Sequence, residues 1–430
     1  MRHIVITAIA LAALAMATRA SAIQIPTPPS GVTPSDTLRL TLEAAERMAL
    51  DRNGLVLAAQ ARIAAARGNL RQARAFAANP QAEFEALNVE GELGGYRTAL
   101  TQELEIGGQR SARAAAASAR LAADEYLSAD AVRAVQRDAH TAFFRAVAAR
   151  ERVKVMAQVT DLQNDLLTAV RTQLAEGEIS TLEANLAEVE FGRARAKLLA
   201  ARRLAADSEY ELRTLLALPP QQPIAVIAPG LALPLTTLDT DTLIARAVAE
   251  RPDLAALQAS VTVAERTATL ESRAAIPNPT VGLLAEREDA TGQTQLGFVV
   301  GLPIPLWNRN RGATAARRAD VTRAQAERAA ADVRIRNEVA SAAEAFAFAR
   351  QELEILESAV LVPARENQRL LEIAYREGKS DLPTILLLRN QLLEAELDYL
   401  DAWLAARIAL ANLEAAIGAP LQMDNDSDDR

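Results

Sequence analysis

The sequence predicts a mainly α-helical chain with a small β part, built from a plan used twice: a β-hairpin followed by a hairpin of long helices. Three observations predict it. Ala, Leu, Arg and Glu dominate while aromatics make up 3%, a composition suited to long helices in close, Ala-mediated contact. Two separate segments alternate apolar and polar residues with period two, the signature of strands with one apolar face. Each alternating segment is followed by a long helical stretch, a glycine break and a further helix, and such a duplication has to be explained as a whole.

The first alternating segment is Asn79–Gly108. Ala82, Phe84 and Ala86 alternate with Gln81, Glu83 and Glu85; beyond the turn Gly91–Gly95, Tyr96, Thr98, Leu100, Leu104 and Ile106 form the second apolar row. The hairpin is placed at 80–106. The second segment, Asn278–Arg311, opens with the same Asn-Pro pair. Val281, Leu283 and Ala285 are followed by Leu296, Phe298, Val300, Leu302, Ile304 and Leu306, which places the second hairpin at 279–306.

The helices follow from punctuation. Residues 111–175 contain no Pro or Gly, which predicts one helix of about 100 Å at 1.5 Å per residue. Glu176-Gly177-Glu178 breaks it. Ser180 with Glu183 forms a capping box that opens the next helix, 181–217. Pro219, Pro220, Pro223, Pro229 and Pro234 mark a link over 219–240. The plan then repeats with a long helix at 312–376, a break at Gly378 and a last helix at 383–417. Asp381 caps that helix, and Pro383 lies in its first turn. Pro363 is expected to kink the second long helix. Short amphipathic helices, Leu40–Leu50 and Asp241–Glu250, precede medium ones at Asn53–Ala77 and Asp253–Ala275. The first repeat thus spans 40–218 and the second 241–418. The flanks are a Pro-rich stretch, 23–39, and an acidic tail, 419–430, both expected to lack fixed structure.

Met1–Ala22 reads as a signal peptide: Arg2, an apolar core at Ile4–Ala17, and Ala20-Ser21-Ala22 as the cleavage site. Cleavage after Ala22 removes Arg2 and Arg19 and takes the net charge from −8 to −10, a poor balance for binding nucleic acid. The chain has no cysteine, which excludes disulfides and thiolate metal sites. No later apolar run is long enough for a membrane-spanning helix. Four strands cannot close a barrel alone, and an open sheet edge cannot face lipid. If the strands enter a membrane, several copies must therefore share one barrel that the helices continue as a tube.

This plan resembles the TolC-type outer-membrane efflux factors. The two Asn-Pro openings, Gly107-Gly108-Gln109-Arg110 and Leu302–Gly312 (LPIPLWNRNRG) carry the resemblance, and the last of these is most similar to the heavy-metal, CzcC-like branch. The resemblance implies a homotrimer with a twelve-stranded β-barrel in the outer membrane of a Gram-negative bacterium. An α-helical tunnel crosses the periplasm and docks to a periplasmic adaptor and an inner-membrane pump of the RND type. The implied role is the exit duct of a tripartite efflux system, with heavy-metal cations as cargo. A drug duct of the same fold is one alternative; a periplasmic coiled-coil structural or adaptor protein is the competing class.

The resemblance places the adaptor-docking tips at Glu176, Gly177, Glu178 and Ser180, and at Gly378, Lys379, Ser380 and Asp381. Plain solvated turns are the bland reading. Tyr375 matches the family's gating tyrosine and Glu183 its acidic partner. Ser380 stands where the family has a gating arginine, and Thr384 and Leu387 where it has paired aspartates, which leaves open how the resting tunnel is closed. Glu83, Glu85, Glu103 and Glu105 are candidates for a wet barrel lumen. Trp307 is a candidate interfacial anchor against outer-membrane lipid. For catalysis or a cofactor there is little: after the signal peptide His140 is the sole histidine, and no nucleophile constellation, phosphate loop or metal-ligand cluster accompanies it.

Overall fold

The computed structural model describes residues 37–89, 92–228, 239–288, 293–376 and 382–421. The signal-peptide reading, Gly378–Asp381 and most of the acidic tail lie outside the described residues. In chain order the elements are β1 (Leu38–Leu40), α1 (Leu42–Arg52), α2 (Gly54–Arg74), β2 (Gln81–Val89), β3 (Glu92–Glu103), α3 (Gln109–Ala175), α4 (Thr181–Leu215) and β4 (Ile224–Val226). The second half continues with α5 (Thr240–Glu250), α6 (Pro252–Arg273), β5 (Thr280–Glu288), β6 (Thr294–Gly301), α7 (Arg311–Ile355), a π-helical turn (Leu356–Leu361), α8 (Val362–Arg376) and α9 (Leu382–Ile417).

The two hairpins join into one antiparallel sheet of order β2-β3-β5-β6. Both strand ends fall short of the alternation in the sequence. β6 stops at Gly301 because Pro303 and Pro305 have no N–H to donate to a ladder. β3 stops at Glu103, before Gly107-Gly108. A register shift between Leu87 and Asn88 bends the first hairpin near its turn.

The long helix α3 runs for 67 residues without interruption. Its counterpart is broken. Pro363 lacks the N–H for an i−4 bond and its ring crowds the preceding turn. The chain answers with the π-turn Leu356–Leu361 just before it, a widening that removes the crowded i−4 geometry.

Packing departs from two independent rods. α3 lies against α2 and α4 of its own half, but also against α6 and α9 of the other. α6 and α9 in turn pack on α7, so the second half supplies the helices that lock the halves together. The main core sits midway along α3. Phe143, Phe144, Val147 and Trp403 are buried there with Leu40, Ala45 and Leu212. Phe144 meets Phe143 edge-on at 5.7 Å and Trp403 edge-on at 5.8 Å. The Arg407 guanidinium lies 5.1 Å from the Phe144 centroid. Each such aromatic contributes roughly 1.5–3 kcal/mol on burial.

Two features of this girdle were not anticipated. Leu38–Leu40, expected to end the Pro-rich stretch and begin a helix, forms β1, which pairs in parallel with β4 from the inter-repeat link. Thr41 then caps α1, its Oγ1 accepting from the Ala44 N–H at 3.2 Å. The second feature closes α9: Arg133 and Arg251 donate to the terminal carbonyls of Ala415 and Ala416 at 2.5 and 2.9 Å. Cations here complement the negative end of the helix dipole. Arg251 is itself held by both oxygens of Asp253.

Candidate functional site

Register assigns every sheet residue a face. Ala82 opposes Leu100, Leu100 opposes Leu283, and Leu283 opposes Phe298. One face is therefore mostly apolar and also includes Phe84, Leu296 and Val300, with Thr98, Gln102 and Arg287 among its polar members. It is bare: Phe298 is 86% exposed. β2 and β6 leave two open edges.

The opposite face carries Glu83, Glu85, Arg97, Glu103 and Glu286. Arg97 pairs with Glu286 at 3.2 Å and approaches Glu85 at 3.8 Å, so Glu85 has a cationic neighbour on this surface. Glu103 accepts from the Asn278 side-chain amide at 2.7 Å. Glu105 does not belong with them. It lies beyond β3 and is gripped by Arg113 at 2.5 and 3.1 Å, with its side chain buried. That hydrogen-bonded arginine holds the carboxyl below the usual glutamate range. The lumen expectation for Glu105 is corrected: it fastens the foot of the first hairpin to α3.

The same foot explains the Gly-Gly-Gln-Arg motif. Gln109, buried, donates to the Ile276 carbonyl at 2.8 Å and to the Asn278 Oδ1 at 2.9 Å. A Cβ at Gly107 would stand 2.7 Å from the Ile276 Cβ, so only glycine lets the strands' feet approach this closely. A chain from Gln109 through Asn278 to Glu103 thus stitches one hairpin to the next. In the second repeat, Asn310 adopts φ +55, a left-handed conformation that asparagine tolerates. It donates to the Glu271 carbonyl and carboxylate at 2.8 and 2.7 Å. Trp307 projects from the preceding loop, 93% exposed.

At the far end of α3, Gly177 takes φ +76. The Gly177 and Glu178 N–H groups donate to the Leu174 and Gln173 carbonyls, a Schellman closure in which glycine avoids the Cβ penalty. Ser180 restarts the helix with both bonds of a capping box. Glu176, Gly177, Glu178 and Ser180 are all exposed. The Glu183 carboxylate accepts from the Ser180 N–H at 2.8 Å and hydroxyl at 2.9 Å. These bonds keep its pKa below the ordinary value and commit the proposed gate partner to a cap. Tyr375 falls within α8; its proposed companions Gly378, Lys379, Ser380 and Asp381 lie outside the described residues.

Among the described residues no helix is long and apolar enough to cross a membrane, and no group of three or more His, Asp or Glu side chains is placed to hold a metal. A family model described as "Outer membrane efflux protein" matches residues 243–419. The chain is 26% identical to the cobalt-zinc-cadmium resistance protein CzcC of Cupriavidus metallidurans, across 84% of this chain and 86% of that protein. Its fold is shared with a membrane protein from Pseudomonas aeruginosa (TM-score 0.74, 21% identity, 87% of this chain and 93% of the other). It is shared equally with the Campylobacter jejuni outer membrane channel CmeC (TM-score 0.73, 16% identity, 90% and 87%).

Proposed function

We propose that this chain is a member of the outer membrane efflux protein family, whose model matches its second half, and that it is the outer-membrane exit duct of a tripartite efflux system for heavy-metal cations. The observation that carries the reading is the sheet. One of its faces is predominantly apolar and bare, both edges are open, and it stands on helices far too long to be its packing partners alone. Lipid tolerates no unpaired strand edge, so three copies pair β2 of one with β6 of the next and close a twelve-stranded barrel. The helices then line a passage through the periplasm. Strands of 8 to 12 residues suit a hydrocarbon layer crossed by tilted strands of about 9–11 residues.

The duct is passive. An RND-type pump in the inner membrane loads it through an adaptor that docks at Glu176–Ser180 and Gly378–Asp381. Heavy-metal cargo is favoured over drugs by similarity to a cobalt-zinc-cadmium resistance protein along most of both chains. The bare apolar sheet face counts against a periplasmic coiled-coil protein, which has no use for it.

Absence of native cysteine makes the test clean. One cysteine on β2 and one on β6, oxidised in whole cells, should give a ladder that ends at three copies, all in the outer-membrane fraction. Deleting the gene should sensitise the cell to cobalt, zinc and cadmium and leave drug tolerance unchanged. Monomers in the osmotic-shock fluid would overturn the duct; drug sensitivity alone would overturn the cargo.

A further inference from the structure

Four helix ends meet directly beneath the sheet: α2 and α6 finish there, and α3 and α7 begin. In a chain of net charge −8, this level is rich in arginine. Arg71, Arg74, Arg110, Arg273, Arg309 and Arg311 are all exposed. For α2 and α6 the helix dipole accounts for them, since Arg71, Arg74 and Arg273 occupy last turns and cations are favoured there. For α3 and α7 the sign is wrong. Both carry an arginine in the first turn, Arg110 as the second residue of α3 and Arg311 as the first of α7, and neither has an acidic residue there. A cation at a helix N-terminus is disfavoured, so these side chains answer to something else.

What they sit beside is apolar. The Arg110 guanidinium lies 4.4 Å over the Phe76 ring, and its Nε donates to the Arg74 carbonyl at 2.7 Å, which fixes it flat against an exposed aromatic. Ile106, Ile304, Leu306 and Trp307 are exposed at the same level. Leu302, Ile304 and Leu306 follow β6 directly and are all exposed, so apolar surface continues below the sheet into this collar. Arg113 is the instructive contrast: it points at Glu105 and is satisfied by it, whereas Arg309 and Arg311 form no ion pair among the described residues.

We propose that this collar is a binding surface for the anionic headgroups of phospholipids in the periplasmic leaflet of the outer membrane. Arg110, Arg309 and Arg311 take the phosphodiester oxygens, and Trp307 and Phe76 lie at the boundary between headgroup and acyl chain. Guanidinium groups suit phosphate oxygens, and amphipathic aromatics suit that boundary. The inference rests on the outer-membrane reading above.

The test assembles the full mature chain into nanodiscs of phosphatidylethanolamine with a minor share of phosphatidylglycerol, then measures the lipid retained by the trimer on extraction. Wild type should retain phosphatidylglycerol enriched about fivefold or more over the disc, the worth of even one basic residue at an anionic surface. The triple variant Arg110→Gln, Arg309→Gln, Arg311→Gln should fall to the disc ratio. The matching Lys variants should keep most of the enrichment, and so should Arg202→Gln with Arg203→Gln on α4, which removes charge elsewhere. Raised salt should weaken enrichment in wild type. The proposal is overturned if wild type shows no enrichment, or if the Gln variant keeps it. It is equally overturned if the Gln variant falls apart into single chains, because the arginines would then be contacts between copies. A chain that fails to enter the discs at all would instead take the outer-membrane reading down with it.

Discussion

The two halves of the chain run the same plan with different mechanics. α3 is a single strut of 67 residues. Arg311–Arg376 covers nearly the same length but is jointed, with the π-turn Leu356–Leu361 set against Pro363. Partner choice differs too. α3 packs on α1, α2 and α4 of its own half and on α6 and α9 of the other, whereas α7 packs chiefly on second-half helices α5, α6 and α9. The first half is thus the fixed post and the second half the flexed limb laid against it. A duplication preserves the pattern of elements, while single residues decide which copy bends.

The sheet offers the largest test of whether the halves are equivalent where they meet lipid. Leu100 in the first hairpin and Phe298 in the second occupy the same apolar face, separated by Leu283 across the ladder. Arg at either position should cost roughly 2–4 kcal/mol per chain near the bilayer midplane. Both variants should therefore lose trimers in a heat-modifiability assay of outer membranes. Loss for one alone would mean that only one hairpin reaches the hydrocarbon.

The joint gives the next largest effect. Leu162 stands as far before Gly177 as Pro363 does before Gly378. Leu162→Pro should cost about 3 kcal/mol or more, because α3 has no widened turn there to receive the ring. Pro363→Ala should do the reverse: the π-turn relaxes toward α-helix and amide protection rises over 356–363. Hydrogen exchange on the purified trimer reads both. Equal tolerance of proline in the two halves would erase the distinction between post and limb.

Much of this was legible in the sequence, and the failures have physical reasons. Helix lengths could be read because Pro and Gly are such strong punctuation, and the strands because alternation has no helical explanation. The β1–β4 pairing was not legible: three residues on each side carry no periodicity, and their partners lie in distant parts of the chain. Glu105 was misplaced because alternation through Leu104 and Ile106 continues past the end of β3. Only Arg113, one turn into the next helix, reveals the true contact. Pro363 announced a bend, but the sequence did not say that the bend would take the form of a π-turn on its N-terminal side. Trp307 was legible as a candidate anchor, and its exposure removes core packing as the alternative. At the tips the sequence showed the Ser180 cap while the resemblance offered Glu183 as a gate, and the structure has the same carboxylate in the cap.

The smallest expected effect lies at those tips and bears on whether the two turns match. Ser180→Ala removes the hydroxyl that accepts from the Glu183 N–H and donates to the Glu183 carboxylate. Amide exchange over Thr181–Ala184 should rise about fivefold, the usual worth of an N-cap. The pH dependence follows from the same bonds. The folded-state pKa of Glu183 is depressed, first by the Ser180 backbone N–H and then by its hydroxyl. The stabilisation is therefore fully present above the unfolded-state value of about 4.3, and is lost as pH falls through the lower folded-state value. Wild-type protection at the tip should hold at neutral pH and decline only in strong acid. In Ser180→Ala the Glu183 titration, followed by carboxyl NMR, should move up toward the ordinary value, although the backbone bond remains. Asp381→Ala is the matched change in the second half. An equal rise in exchange over the first turn of α9 would make the two tips twins, as the duplicated plan requires. No change there would leave the first half alone in capping its tip, and would end the expectation that a docking partner meets six like turns.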